Sequence, residues 1–215
     1  SYASWFTTAF GAPLHIIDGR SGGRGPDPRD FAGIIVTGSR ASLSSPQPWM
    51  DDAAEFVRRA HDVGTPLLGV CFGHQLIAHA FGGRVVKNPR GWEIGSHAIT
   101  LTDDGANDPL FASLARTLRV NLTHEDIVDL QSLATTPIRV LAANQTTAVQ
   151  SLAVDEHIRG IQFHPEISGL ALRGYIELRR PVLSGLDPDL LLATTTDCPD
   201  GVAVLANFRH LFLNQ

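Results

Sequence analysis

The chain has 215 residues, 43% of them hydrophobic and 18% charged, with a formal charge of −5 from 17 Lys and Arg against 22 Asp and Glu. That length allows a sizeable core, and the composition excludes disorder, collagen and coiled coil. A mildly acidic balance offers no clustered basic surface for nucleic acid or an anionic membrane, so neither is expected as a partner. Two cysteines, Cys71 and Cys198, are too few and too far apart for a disulfide scaffold, which makes a reducing, cytoplasmic setting the default.

In chain order, residues 1–10 read as a helix start with no strand in front of it. A doubly wound sheet opens with a strand. Either a first strand is missing from this chain or it starts late by nature, and the sequence leaves both open. Residues 14–18 are a short apolar run closed by a polar, Gly-rich stretch at 19–30. The β-branched run 33–37 reads as a fully buried parallel strand closed by Gly38. Residues 49–63 follow with Ala53, Phe56, Val57 and Ala60 at helical spacing, and Gly64 ends that helix.

Residues 63–83 carry no Lys, Arg, Asp or Glu over 21 positions, long enough by count to span a bilayer. Pro66, five glycines, His74, Gln75 and His79 make that reading costly, and the stretch reads instead as a buried strand at 65–70 followed by a helix at 73–81. No secretory signal pattern is present, so the glycosylation-like triplets at Asn121 and Asn144 read as chance. Further strands are expected at 84–87, 95–101, 118–122, 138–143, 148–154 and 158–163. The tail reads as helical, with Val202, Leu205, Phe208, Leu211 and Phe212 on one face of a helix at 201–214. No repeat or linker divides the chain, so one domain is expected over residues 1–215. The alternation of strands and helices predicts an α/β fold: a three-layer, doubly wound, mostly parallel sheet with helices on both faces and a small antiparallel addition.

The strongest chemical signal is Gly69-Val70-Cys71-Phe72-Gly73, a cysteine version of the nucleophile elbow between strand and helix. Small flanking residues suit a strained turn. A sulfur at a helix N-terminus has its thiolate favoured by the helix dipole, and the N–H of Phe72 would face a developing oxyanion. The bland alternative is a buried structural cysteine in a Gly-rich turn. A thiol nucleophile needs a base, and the base needs an orienting group. His164 is the best placed of nine histidines, at the end of the 158–163 strand, with Pro165 stiffening the exit and Glu166 two residues on. The roles would be attack by Cys71, proton shuttling by His164 and orientation by Glu166.

These residues resemble a family. Gly69-Val70-Cys71-Phe72-Gly73-His74-Gln75 and Gly160-Ile161-Gln162-Phe163-His164-Pro165-Glu166 look like the two signature segments of class I, triad-type glutamine amidotransferases. Thr37-Gly38-Ser39-Arg40-Ala41-Ser42-Leu43 matches a third, the oxyanion loop, and the 93 positions from Cys71 to His164 suit the family. The likeness is to stand-alone members similar to the amidotransferase part of GMP synthetase, and it implies a flavodoxin-like fold. It implies a γ-glutamyl thioester on Cys71, oxyanion donors at the Gly38 and Phe72 N–H groups, and glutamine binding by Gln75. Many members have Gly-Gly or Pro-Gly-Pro where this chain has Gly38-Ser39-Arg40, which leaves the loop conformation open.

The resemblance implies no cofactor and no metal. Cys71-x-x-His74 could suggest a metal site, but metal would consume the nucleophile, so His74 and His79 read as packing residues. The loop 88–95 either lines a substrate entrance or is a plain turn, and His124-Glu125-Asp126 is either near the site mouth or a solvated turn. Ser21-Gly22-Gly23 lacks the acidic and serine residues of a pyrophosphate loop, and Cys198 has no elbow or base beside it. The substrate is then glutamine or another γ-glutamyl compound. No synthetase module is expected within about fifty residues after Glu166, so ammonia would go to a separate synthetase subunit or leave free. Two alternatives stand: hydrolysis of a γ-glutamyl peptide or amide on the same triad, and a non-catalytic regulatory protein on this fold.

Overall fold

The computed structural model describes residues 2–183 and 185–213. Ser1 and Asn214, the outer ends of two expected helices, and the side chain of Leu211 lie outside the described residues. In chain order the elements are α1 (Tyr2–Phe10), β1 (Ile34–Val36), α2 (Pro48–Asp62), β2 (Leu67–Val70), α3 (Phe72–Ala80), β3 (Val85–Lys87), β4 (Glu93–Leu101), α4 (Asp103–Asn107), β5 (Thr117–His124), β6 (Asp126–Val128), β7 (Ile138–Ala143), β8 (Ser151–Val154), β9 (Ile158–Ile161), α5 (Gly169–Arg179), α6 (Pro188–Thr194) and α7 (Pro199–Phe212). The main sheet runs β1-β2-β9-β8-β7-β4-β5, and β3 pairs with β6 separately. Parallel pairing joins β1 to β2 and β2 to β9, and the rest of the sheet is antiparallel. Helices cover both faces. Phe6 and Phe10 of α1 pack with Val204, Leu205, Phe208 and Phe212 of α7 on one side. Met50, Ala54 and Val57 of α2 pack with Leu76 and Ile77 of α3 on the other. This is the three-layer α/β architecture the sequence predicts, but its main sheet is mixed rather than mostly parallel, because β7, β8 and β9 follow one another through short connections that only antiparallel neighbours allow.

Local departures have local causes. Residues 14–18 form no strand; Ile16 and Ile17 are exposed, and Asp18 instead accepts the Arg20 N–H at 3.0 Å to open a short 3-10 turn. An apolar run becomes a strand only where a ladder offers partners. β1 is half-buried along its length rather than fully buried, because among the described strands it is the sheet edge beside β2. On α2 the inward small residue is Ala54, with Ala53 and Phe56 half-buried. On α7 Val202 faces solvent and Val204 takes its place in the core. His79 is exposed, so of the two helix histidines only His74 packs. Among the described residues, no helix is long and apolar enough to cross a membrane, and 63–83 folds as the turn Val63–Pro66, β2, α3 and the glycines after it.

β2 and β9 carry the two segments with chemical character. Their register pairs Val70 with Ile161, so the chain leaves both strands at the same level of the sheet. At the other end of β9, Arg159 is buried against Asp108, 2.9 Å from its Oδ2, and it also donates to the carbonyls of Asp155 and Ile158. A buried pair gives little net stability, but removing one partner leaves an uncompensated charge. Arg159→Met should therefore lower unfolding free energy by about 3 kcal/mol in urea titration, and a loss under 1 kcal/mol would contradict this account.

Candidate functional site

Cys71 stands where β2 becomes α3. Its N–H donates to the Ile161 carbonyl at 2.8 Å, and its own carbonyl accepts the Gln75 N–H at 3.1 Å, so it closes one element and opens the other. Its φ is +53°, a left-handed conformation that costs a non-glycine residue energy and is kept only where the surroundings impose it. The two neighbouring glycines impose it. A Cβ on Gly69 would sit 2.4 Å from the Gly73 carbonyl, and one on Gly73 would sit 2.1 Å from the Val36 carbonyl. β2, α3 and the end of β1 are thus in backbone contact. The same contact sets the end of β1, two residues before Gly38, against the start of α3. By helix geometry the N–H groups of Phe72, Gly73 and His74 precede the intrahelical ladder and are open at that end.

His164 follows β9, held by its N–H to the Asn121 carbonyl at 2.8 Å. Its Nδ1 lies 2.7 Å from Glu166 Oε1, both side chains being nearly inaccessible to water. With Nδ1 so engaged, the other ring nitrogen is the one available to Cys71. Burial pushes the His164 imidazolium down, yet the charges of Glu166 and Cys71 and its hydrogen bonds to both outweigh this and hold its pKa well above the ordinary histidine value. The Cys71 thiol also points at the Thr123 carbonyl, 4.0 Å away. Cys71, His164 and Glu166 are therefore brought together at the carboxyl ends of adjacent parallel strands, where open α/β sheets place ligands.

Gln75 is buried, and both amide protons are committed, to the Asp126 carbonyl at 2.9 Å and to Gln162 Oε1 at 3.0 Å. What it can offer a ligand is its carbonyl oxygen. His74 is fully buried, and burial together with the nearby charge of His124 brings its pKa down to about 3, so it is neutral. Cys198 is buried too, its thiol directed at Asn121 Oδ1 at 3.3 Å, and burial pushes its pKa up. A reactive thiolate is disfavoured there.

Several residues whose roles the sequence left open or unassigned complete the site. His124 and Asp126 are buried rather than solvated, while Glu125 is exposed. Glu93 and His124 are direct cross-strand partners of β4 and β5, with Glu93 Oε2 3.1 Å from His124 Nε2. Thr147 and Gln150 donate to the same carboxylate at 2.8 and 3.1 Å, and Asn144 to its other oxygen. Burial alone would raise the Glu93 pKa; the hydrogen bond and charge of His124 and the donors from Asn144 and Thr147 outweigh it and hold it at about 2. The Asp126 carboxylate is hydrogen-bonded by Ser42 and lies 2.9 Å from Lys87, which ties the loop after β1 to the start of β6. Asn121 donates to the Ile167 carbonyl at 3.0 Å, clamping the 164–167 turn from a second side. The sequence offered Asn121 and Asn144 only as glycosylation-like triplets, and both side chains are spent on internal hydrogen bonds.

The sequence model of the family described as "Glutamine amidotransferase class-I" matches residues 24–174. Among curated relatives, a glutamine amidotransferase-like protein of Schizosaccharomyces pombe is 30% identical over 164 residues, 72% of this chain and 62% of that one. Gamma-glutamyl peptidase 5 of Arabidopsis thaliana is 27% identical, over 77% of this chain and 67% of that protein. The glutamine-hydrolysing GMP synthase of Thermomicrobium roseum is 32% identical over 67% of this chain, which spans only 25% of that enzyme. A solved glutamine amidotransferase of Methylobacillus flagellatus superposes with a TM-score of 0.76 at 21% identity, covering 100% of this chain and 90% of that one. That likeness concerns the fold.

The geometry carries two expected outcomes. Gly73→Ala should lower unfolding free energy by about 1–3 kcal/mol, since the added carbon meets the Val36 backbone rather than a flexible side chain; an unchanged urea midpoint would contradict the packing. Glu93, ionised in the fold down to about pH 2 against an ordinary value of 4.5, stabilises the protein above pH 4.5 and loses that contribution as pH falls toward 2. The destabilisation caused by Glu93→Gln should accordingly be largest near pH 6 and shrink by pH 3. A penalty independent of pH would remove the charge from the explanation.

Proposed function

This chain belongs to the class I glutamine amidotransferase family, and on that premise we propose that it cleaves the γ-glutamyl amide bond with Cys71 as nucleophile, His164 as proton shuttle and Glu166 as the group that orients His164. The observation that carries the reading is the strained Cys71 at a helix N-terminus, with an imidazole beside it whose far nitrogen is held by a buried carboxylate. The Cys71 sulfur attacks the γ-carbonyl carbon of glutamine, and the carbonyl electrons move to oxygen. The N–H groups of Gly38 and Phe72 receive that oxyanion. As it collapses, the carbon–nitrogen bond breaks, and His164 gives its proton to the departing amine, leaving a γ-glutamyl thioester and ammonia. Water then attacks the thioester, His164 takes its proton, and glutamate leaves as the thiolate is restored. Gln75 contributes a carbonyl oxygen to the glutamyl pocket. Ammonia passes to a separate synthetase subunit or leaves free; the GMP synthase relatives support the former.

A second reading, hydrolysis of γ-glutamyl peptides, uses the same bond cleavage with a larger leaving amine. It is favoured by relatives named gamma-glutamyl peptidases, which this chain matches over about three quarters of its length. Ammonia release from glutamine and amino-acid release from γ-glutamyl dipeptides separate the two. In either assay Cys71→Ala and His164→Ala should lose at least about 10³-fold in kcat, and Glu166→Gln less. Cys71→Ala retaining wild-type turnover would sink both readings, and with them the thioester.

A further inference from the structure

A groove of about 420 Å³ lies between the loop after β1 and the end of α5, lined by Arg40, Tyr175, Leu178, Arg179, Pro181 and Val182. Its volume is within the range of small-ligand sites. Three contacts connect it to the sulfur. The Cys71 thiol faces the Thr123 carbonyl at 4.0 Å, the Trp92 indole N–H donates to Thr123 Oγ1 at 3.3 Å, and the Arg179 guanidinium lies over the Trp92 ring, 5.6 Å from its centroid. The same guanidinium also lies over the Tyr175 ring, 5.1 Å from its centroid. Arg40 belongs to the loop after β1 that carries Gly38.

Charge decides what this groove takes. The neighbouring Arg180 is neutralised by Glu177 and Asp189, both 2.9 Å away. Among the described residues, Arg40 and Arg179 have no carboxylate partner, although acidic groups outnumber basic ones in the chain. Two uncompensated guanidiniums in one lining, one of them lying over two aromatic rings, offer charge-assisted donors to a carboxylate, and Leu178 and Val182 supply apolar wall beside them. Glutamine carries its carboxylate only on the glutamyl side of the scissile bond, and its leaving group, ammonia, has none to offer such a groove. A peptide bonded through a γ-glutamyl link has a carboxylate on its leaving side, and one or two extended residues reach roughly 3–7 Å beyond the scissile bond.

We propose that the Arg40–Arg179 groove is the leaving-group subsite, and that it receives the free terminal carboxylate of a γ-glutamyl dipeptide or tripeptide with an apolar residue after the glutamyl group. This rests on the second of the two readings above and deepens it, by naming the end of the substrate that is recognised. The arginines bind and orient; they take no part in the bond changes.

The test uses γ-glutamyl-leucine and γ-glutamyl-leucyl-glycine, each as the free acid and as its C-terminal amide. Wild-type kcat/KM should favour at least one acid over its amide by about tenfold or more, mostly through KM, as expected for a charge-assisted hydrogen bond. In Arg40→Gln/Arg179→Gln that acid-to-amide ratio should collapse toward one. Because the ratio is taken within each protein, a general loss of activity cancels. Calorimetric binding of the same four compounds to Cys71→Ala reads the subsite without turnover. A carboxylate preference in binding with no wild-type cleavage would leave the subsite standing and defeat the hydrolase reading. Cleavage of acids and amides at equal rates, or binding of neither form, overturns the subsite. So does a ratio that survives the double variant, which is the result expected if the groove instead docks a protein partner.

Discussion

Everything at this site depends on three backbones meeting without side chains between them. Gly69 faces the carbonyl of Gly73, and Gly73 faces the carbonyl of Val36, at separations where no Cβ fits. That contact fixes where α3 starts relative to β2, and so forces Cys71 into its positive φ. The strain costs roughly 1–3 kcal/mol and is held by hydrogen bonds on both sides of the residue, from its N–H to β9 and from Gln75 to its carbonyl. The same contact sets the end of β1, two residues before Gly38, against the first turn of α3. A cysteine in a relaxed turn would leave its sulfur free to choose among rotamers and would not fix an oxyanion site relative to itself.

The surrounding charges serve that geometry more than they serve stability. Two buried acid–base contacts, Glu93 with His124 and Arg159 with Asp108, sit at opposite ends of the sheet, and His164 with Glu166 stands between β9 and α5. Desolvation consumes most of what such pairs gain, so they are poor sources of net stability, but each is intolerant of losing one member. Glu93 and His124 lock the ends of β4 and β5 in register, and thereby hold the Thr123 carbonyl against Cys71 and the Asp126 carbonyl against Gln75. A hydrophobic pair of equal volume could pack as well. It would not set the direction of those carbonyls, because dispersion has no preferred angle and a hydrogen bond does.

This division explains what was legible in the chain. The elbow and the His164–Glu166 segment were readable because their residues are close in sequence and their chemistry is local: a glycine on each side of Cys71, a carboxylate two positions from an imidazole. The strands that bring the two segments together followed from apolar runs ahead of each. Glu93, Asn121, Gln150 and Gln162 were not assigned, because a polar residue in a strand reads as solvent-facing until a partner is placed opposite it. Glu93 acquires its meaning from His124, 31 positions away, through a strand register that composition does not encode. The short apolar run at 14–18 shows the converse: its composition would suit a strand, and no ladder meets it.

The same distinction bears on substrate choice. On the proposed reading, the groups within reach of Cys71, the imidazole, the carboxylate and the open N–H groups of α3, would act on a carbonyl and be indifferent to what the nitrogen carries. Discrimination between ammonia and a peptide as leaving group must therefore come from farther out, where the loop after β1 and the end of α5 supply residues unrelated to bond cleavage. Arg179 is held there by two aromatic faces rather than by an acid. Stacking keeps the guanidinium in place while leaving its charge uncompensated, whereas an ion pair of the Arg180 kind would hold it equally well and cancel its attraction for a carboxylate.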